Sequence, residues 1–122
     1  MAEPVHAACH CGAVHLRFPT LDLASARRCD CSYCRRRAAI AVSVPVGQLE
    51  VEGADNLSLY TWNTGTAKHY FCKTCGIYTH HQRRSNPNEF GVNAACIDGL
   101  NPRDLGEVPW ADGADHISDR TR

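Results

Sequence analysis

The chain has 122 residues, 13 basic and 13 acidic side chains, 8 cysteines and 7 histidines. A formal charge of zero argues against a protein whose main task is to coat nucleic acid or an anionic membrane surface. No apolar run approaches the roughly 18 residues of a membrane span, and the first residues lack the basic and apolar regions of a secretory signal. The expected compartment is therefore the cytosol, where eight cysteines are better explained by metal than by disulfides.

Strand patterns dominate in chain order. Residues 13–18 alternate and stop at Pro19, and residues 38–44 are rich in small and β-branched side chains and stop at Pro45. Residues 49–52 end at Gly53, and residues 57–62 alternate before a turn at Asn63-Thr-Gly65. Residues 68–71 run into a CxxC pair and residues 77–80 leave it, which predicts a zinc-ribbon hairpin. After a turn at Ser85-Asn-Pro-Asn88, residues 89–96 form a last strand that ends near Asp98-Gly99. From Asn101 the Pro and Gly breaks predict an irregular tail that closes over the sheet. No segment carries a 3.6-residue apolar stripe. The expected class is all-β, in one domain over residues 1–122, with a motif-bearing part at about 9–98 and a tail at 99–122. A core this thin is expected to need zinc.

Seven cysteines fall in three clusters, Cys9-His10-Cys11-Gly12, Cys29-Asp30-Cys31-Ser32-Tyr33-Cys34 and Cys72-Lys73-Thr74-Cys75-Gly76, with Cys96 alone. Short Cys spacings let two thiolates from one turn reach one tetrahedral ion, and a following Gly tolerates the positive φ that folds the chain under it. The competing reading is redox thiols or disulfides, but no helix pattern follows the Cys72 pair. Seven ligands are too many for one site and one short of two closed sites. A four-cysteine site and a three-cysteine site with an open position fit, and an open position belongs to catalytic zinc. Counting leaves Cys96 or a histidine available as an eighth ligand, which would close both sites.

The order of Cys9-His-Cys-Gly-Ala-Val14, Cys29-Asp-Cys-Ser-Tyr-Cys-Arg35, Phe71-Cys-Lys-Thr-Cys-Gly76 and Gly91-Val-Asn-Ala-Ala-Cys-Ile-Asp98 resembles the glutathione-dependent formaldehyde-activating enzyme (GFA) family, also called the centromere protein V domain. The resemblance runs from about Cys9 to Asp98 and extends to Asp112-Gly113. It implies a zinc-bound fold of twisted antiparallel sheets, similar to methionine sulfoxide reductase B and to a Rab accessory chaperone. It also implies a structural zinc on Cys9, Cys11, Cys72 and Cys75 and a catalytic zinc on Cys29, Cys31 and Cys34, hence two zinc ions per chain. The implied reaction joins glutathione to formaldehyde, reversibly, as S-hydroxymethylglutathione, formally a carbon–sulfur lyase activity.

Other residues are weaker candidates. Arg35, Arg36 and Arg37 follow the three-cysteine turn and suit a substrate carboxylate, or else form a solvated basic turn that offsets thiolate charge. Asn93 belongs to the last motif and is a further substrate candidate. Adjacent strand residues point to opposite faces, so only one of His80 and His81 can face a given site as base or ligand. His10 is expected to point away from the metal, His69 and Tyr70 to pack the hairpin, and Cys96 to be a buried strand thiol. Three functions compete: the lyase acting on a thiol and an aldehyde, a non-catalytic zinc module that binds a protein partner, and a cytosolic thiol-redox protein. A complete second set of three cysteines favours the first. Neither a nucleic-acid nor a membrane partner is expected, and oligomeric state is not legible.

Overall fold

The computed structural model describes residues 3–120. It is built mostly of strands in antiparallel sheets, as the patterning predicts. Strands β1 (Val5–Ala8) and β2 (His15–Phe18) form a hairpin around the first cysteine turn, and β5 (Glu50–Glu52) adds to β2. A five-stranded antiparallel sheet runs in the order β4 (Ala41–Pro45), β9 (Glu89–Asn93), β8 (Tyr78–Gln82), β7 (Lys68–Cys72), β6 (Leu57–Tyr60). Two-residue strands β3 (Arg28–Cys29) and β10 (Trp110–Ala111) pair in parallel. The α-helix is confined to single turns, α1 (Cys34–Arg37) and α2 (Ile117–Arg120). No helix among the described residues is long and apolar enough to cross a membrane.

One apolar cluster joins the two larger sheets. Leu16 and Phe18 from β2 meet Val42 and Val44 from β4 and Val92 from β9, each at most 1% exposed. Each such side chain contributes roughly 1.5–3 kcal/mol by burial, and the cluster extends to Cys9 and Cys72, so the apolar core runs up to the first cysteine cluster.

The differences from the sequence reading have local causes. Residues 38–40 are not strand, because Ala38 takes a left-handed conformation (φ 58°) that ends α1, and β4 starts at Ala41. Strand β9 stops at Asn93, whose side chain accepts from the Ala95 amide and turns the chain, so Cys96 sits in a 3-10 turn rather than on a strand. Strand β8 starts at Tyr78, not Ile77. Strand β1 has only four residues and too little alternation to stand out. The tail carries a 3-10 turn, a two-residue strand and a helical turn.

At the centre of the larger sheet, Tyr78, Thr79, His80 and His81 are all buried, because both faces of β8 are covered. His80 stacks on Tyr70 at 4.7 Å and meets the edge of Phe90, whereas His81 stacks on His69 at 5.4 Å on the other face. Burial pushes the His80 imidazole down to about 4 from the usual 6.5. Between those values the unfolded chain binds a proton that the folded chain refuses, so this contribution to stability is intact above about pH 6.5 and is lost as pH falls toward 4. Urea unfolding at pH 7.5 and pH 5 should show wild type losing on the order of 2 kcal/mol more than His80→Gln. Equal losses in the two proteins would show that His80 is not held neutral.

Candidate metal centres and the adjoining cavity

The first cysteine cluster is assembled from two turns far apart in sequence. After β1, the Cys9 amide donates to Val14 O (3.1 Å) and the Gly12 amide to Cys9 O (3.2 Å), with Gly12 at φ +82°. At the end of β7 the Gly76 amide donates to Cys72 O (2.9 Å), with Gly76 at φ +78°. These turns bring Cys9, Cys11, Cys72 and Cys75 together, with all four sulfurs within 4.8 Å of one another. A tetrahedral ion with metal–sulfur bonds of about 2.3 Å sets its sulfurs about 3.8 Å apart. The Cys9–Cys11 and Cys11–Cys72 sulfur separations are 3.7 and 3.6 Å, so this set fits a metal ion and is too open for a disulfide. Donors already point at the sulfurs: Val14 N to Cys9 (3.4 Å) and Asn56 Nδ2 to Cys72 (3.3 Å).

The second cluster is local. Cys29 ends β3, Cys31 lies in the following turn and Cys34 opens α1. Their sulfurs also lie within 4.8 Å of one another, and among the described residues no fourth histidine, cysteine or carboxylate completes the set. The Cys29 and Cys34 thiols hold Cys31 well below the ordinary thiol range, helped by the Cys34 and Tyr33 amides. The Cys34 amide lies 3.2 Å from the Cys31 sulfur. The Cys29 and Cys31 thiols push Cys34 up.

Arg37 closes one side of this cluster. Its Nη2 donates to Cys34 Sγ (3.3 Å) and its Nη1 contacts His69 Nδ1 (3.0 Å). The guanidinium lies 3.7 Å from the Tyr78 ring centre and 4.8 Å from that of Tyr33. Burial works against its charge, but the nearby Tyr78 and Cys34 more than offset this and raise its pKa. Because an arginine only donates, His69 Nδ1 accepts, and a neutral His69 carries its proton on Nε2. Burial, then the Arg37 charge, lowers His69 to about 4. His81 is lowered well below its ordinary value for the same two reasons and is held by Tyr78 Oη at 2.6 Å from Nδ1. Gly91 makes room for that ring, since a Cβ there would lie 2.4 Å from His81 Cε1.

The tail closes the other side. Asp30 Oδ1 accepts from the Gly113 amide (2.8 Å) and the Ala114 amide (3.0 Å). The Asp119 carboxylate accepts from the Ser32 amide and hydroxyl, each at 3.1 Å. The two polar residues between the cysteines thus tie down the tail. At Gly113 a Cβ would lie 2.5 Å from Cys29 Sγ, so only glycine permits this approach. Between tail and sheet lies a cavity of about 140 Å3, walled by the three cysteines, Arg37, His69 and His81 among others.

Successive residues on a helical turn point in different directions, and only Arg37 of the three arginines reaches this cavity. Arg35 and Arg36 are exposed, and Arg36 Nη1 donates to Ser32 O. Asn93 is buried and committed: its Nδ2 donates to Tyr78 O (2.8 Å) and its Oδ1 accepts from Ala95 N (3.1 Å). Arg36 and Asn93 line a separate groove of about 540 Å3 on the other side of Arg37. His10 is exposed, and Cys96 Sγ donates to Tyr78 O at 3.6 Å, outside both cysteine sets. Of the two adjacent histidines, His81 lines the cavity. His69, expected only to pack the hairpin, lines it as well, as do Trp62, Arg83 and Arg84. Strand parity offered a signal for His69 and Arg83, because His69 pairs with His81 across the sheet and Arg83 lies two residues beyond it. Nothing in the sequence pattern singled out Trp62 or Arg84.

Residues 4–108 match the family described as glutathione-dependent formaldehyde-activating enzyme; Asp112-Gly113 lies beyond that match. A Halomonas elongata protein provisionally named a glutathione-dependent formaldehyde-activating enzyme is 36% identical over 76 residues, which is 55% of this chain. The match takes in 48% of that relative, so the chain spans about half the length of the curated relative it matches. The crystal structure of a Rhodobacter sphaeroides protein is 62% identical, covers 87% of this chain and 99% of that one, and superposes with a TM-score of 0.84. The chain belongs to the glutathione-dependent formaldehyde-activating enzyme family.

Proposed function

We propose that this protein catalyses the reversible addition of a small-molecule thiol to formaldehyde, the reaction that the family description names for glutathione, and that it uses two zinc ions. The observation that carries this reading is the second cysteine set: three thiols beside a cavity, with no fourth ligand among the described residues. Cys9, Cys11, Cys72 and Cys75 would hold a structural ion, and Cys29, Cys31 and Cys34 a catalytic one. Zinc at an open thiolate site supplies a Lewis acid that favours a deprotonated thiol or polarises an aldehyde oxygen.

The chain's own residues do the rest. Overall, the thiol S–H adds across the carbonyl: a C–S bond forms, the carbonyl π bond breaks, and the thiol proton ends on the oxygen. No electrons are gained or lost, so no redox partner is required. Arg37 offsets negative charge on the thiolates and fixes Cys34 through the Nη2 contact. His69 and His81 are neutral at pH 7, so they add no charge that would oppose proton movement in the cavity. The Gly113 crossing sets tail backbone against Cys29 Sγ. The second reading from the sequence, a non-catalytic module, has no need of this cavity beside a set of three cysteines.

Two tests follow. Metal analysis of the purified protein should find about two zinc ions in wild type and about one in a folded Cys31→Ser variant, whereas Cys72→Ser should lose thermal stability because closed-site metal binding is coupled to folding. A Cys72→Ser protein that melts like wild type would overturn the division between the two sites. In exchange NMR with 13C-formaldehyde and either glutathione or mercaptoacetate, wild type should speed interconversion of hydrated formaldehyde and adduct with at least one of the two thiols, and Cys31→Ser should not. Exchange no faster with wild type than in buffer would remove the proposed reaction.

A further inference from the structure

Buried N–H groups without an acceptor are costly, and a native fold keeps few of them. Among the described residues the buried side-chain nitrogens with no hydrogen-bond partner are Arg37 Nε, Trp62 Nε1, Arg83 Nε and Arg84 Nη1, and all four residues line the cavity beside Cys29, Cys31 and Cys34. Arg83 Nε lies 3.2 Å from the Glu89 carboxylate, close enough for that oxygen to satisfy it, and is set aside. Arg37 is occupied by Cys34 and His69. Trp62 and Arg84 remain. They come from different connections, β6–β7 and β8–β9, and the Arg84 guanidinium lies 5.5 Å from the Trp62 ring centre. Arg84 Nη2 donates to Gly113 O at 2.8 Å, while Nη1 is 4.0 Å from Asp119 Oδ1, too far for a hydrogen bond. The Arg84 side chain is 13% exposed.

Two donors, one of them cationic, thus share a wall with the three cysteines. Gly113 touches both ends of that wall, since its carbonyl receives Arg84 and its α-carbon lies against Cys29 Sγ. A ligand whose sulfur sits at the cysteines can therefore place an acceptor at Arg84 and Trp62 with only a few bonds between. The arginines lining the cavity are Arg27, Arg28, Arg37, Arg83 and Arg84, against one lining carboxylate, Asp112, and the Asp119 carboxylate 4.0 Å from Arg84 Nη1. The acceptor that suits this wall is an anion. Pockets that bury drug-sized ligands measure about 300–1,000 Å3, and this one measures about 140 Å3. From these observations, and resting on the thiol-addition reading above, we propose that the thiol substrate is a small mercapto-carboxylate. Its sulfur is at Cys29, Cys31 and Cys34 and its carboxylate is on Arg84 Nη1 and Trp62 Nε1. Arg84 and Trp62 then select the substrate rather than merely bracing the tail.

The test is calorimetric titration of zinc-loaded protein with mercaptoacetate, 2-mercaptoethanol and glutathione, with metal content checked afterwards. The first two thiols differ mainly in carboxylate against hydroxyl. Wild type should bind mercaptoacetate at least about tenfold more tightly than 2-mercaptoethanol, the scale of a charge-assisted hydrogen bond, and more tightly than glutathione. Arg84→Gln should reduce the preference to within about twofold. Trp62→Phe keeps an aromatic ring but removes the N–H together with the five-membered ring of the indole, and should weaken mercaptoacetate several-fold while leaving 2-mercaptoethanol within about twofold, since loss of packing alone would weaken both thiols alike. If Arg84 only braces the tail, Arg84→Gln will lower the melting temperature but keep the preference, and Trp62→Phe will leave the preference unchanged; either result overturns the proposal. Tighter binding of glutathione than of mercaptoacetate overturns the size limit. Failure of all three thiols to bind wild type removes the thiol-addition reading itself, an outcome distinct from equal binding of the two small thiols, which removes only the carboxylate subsite.

Discussion

The structure depends on the meeting of four sulfurs from two turns that lie 61 residues apart along the chain, where Cys11 reaches within 3.6 Å of Cys72. One turn belongs to the small sheet and the other to the large one, so this contact fixes how the two sheets are joined. Four thiolates this close repel one another unless a cation lies between them, and the buried apolar cluster that runs up to Cys9 and Cys72 cannot supply one. Under the proposed function that cation is zinc, and its binding energy supplements a thin core.

The second cysteine set is made differently, and the difference bears on function. It needs no long-range crossing, because Cys29, Cys31 and Cys34 lie within one strand end, a turn and the start of α1. What reaches it from afar is its surroundings. Arg37 leans on Tyr78 from the large sheet, and the tail crosses on hydrogen bonds to Asp30 and Ser32. Secondary elements on one side and a tethered segment on the other leave a small cavity rather than a packed interior. The same arrangement restricts what can enter, which is the basis for expecting a compact anionic thiol.

The sequence disclosed which cysteines gather into two clusters that could hold a metal ion, and the strand-rich class, and it did so for a physical reason. Ligand spacing is a local property, and CxC and CxxC turns carry their own geometry with them. Residues 68–71 and 77–80 were legible as a hairpin for the same reason, since the Cys72 turn lies between them. What stayed hidden was set by tertiary packing. All of Tyr78 to His81 is buried, so β8 shows no alternation and the sequence does not say which histidine faces the cavity. Arg37 could not be told from Arg35 and Arg36 without the pitch of a single helical turn ended by a left-handed Ala38. Arg84 and Trp62 lie in loops, where no periodicity assigns a direction, and Asp119 acts across 87 residues of sequence. Gly113 was visible only as a tail break and as part of the family resemblance, neither of which disclosed that it lets backbone lie against Cys29.

The most direct test of the central claim, that one cysteine set is closed and the other open, is zinc-edge X-ray absorption on the protein with its metal bound, recorded before and after a thiol is added. Four sulfurs at one site and three at the other average about 3.5 sulfurs per ion, with a lighter oxygen or nitrogen scatterer completing tetrahedral coordination. The account requires that average first, followed by a rise toward four when the thiol takes the open position. Four sulfurs per ion before any thiol is added, or an average that the thiol leaves unchanged, would contradict it.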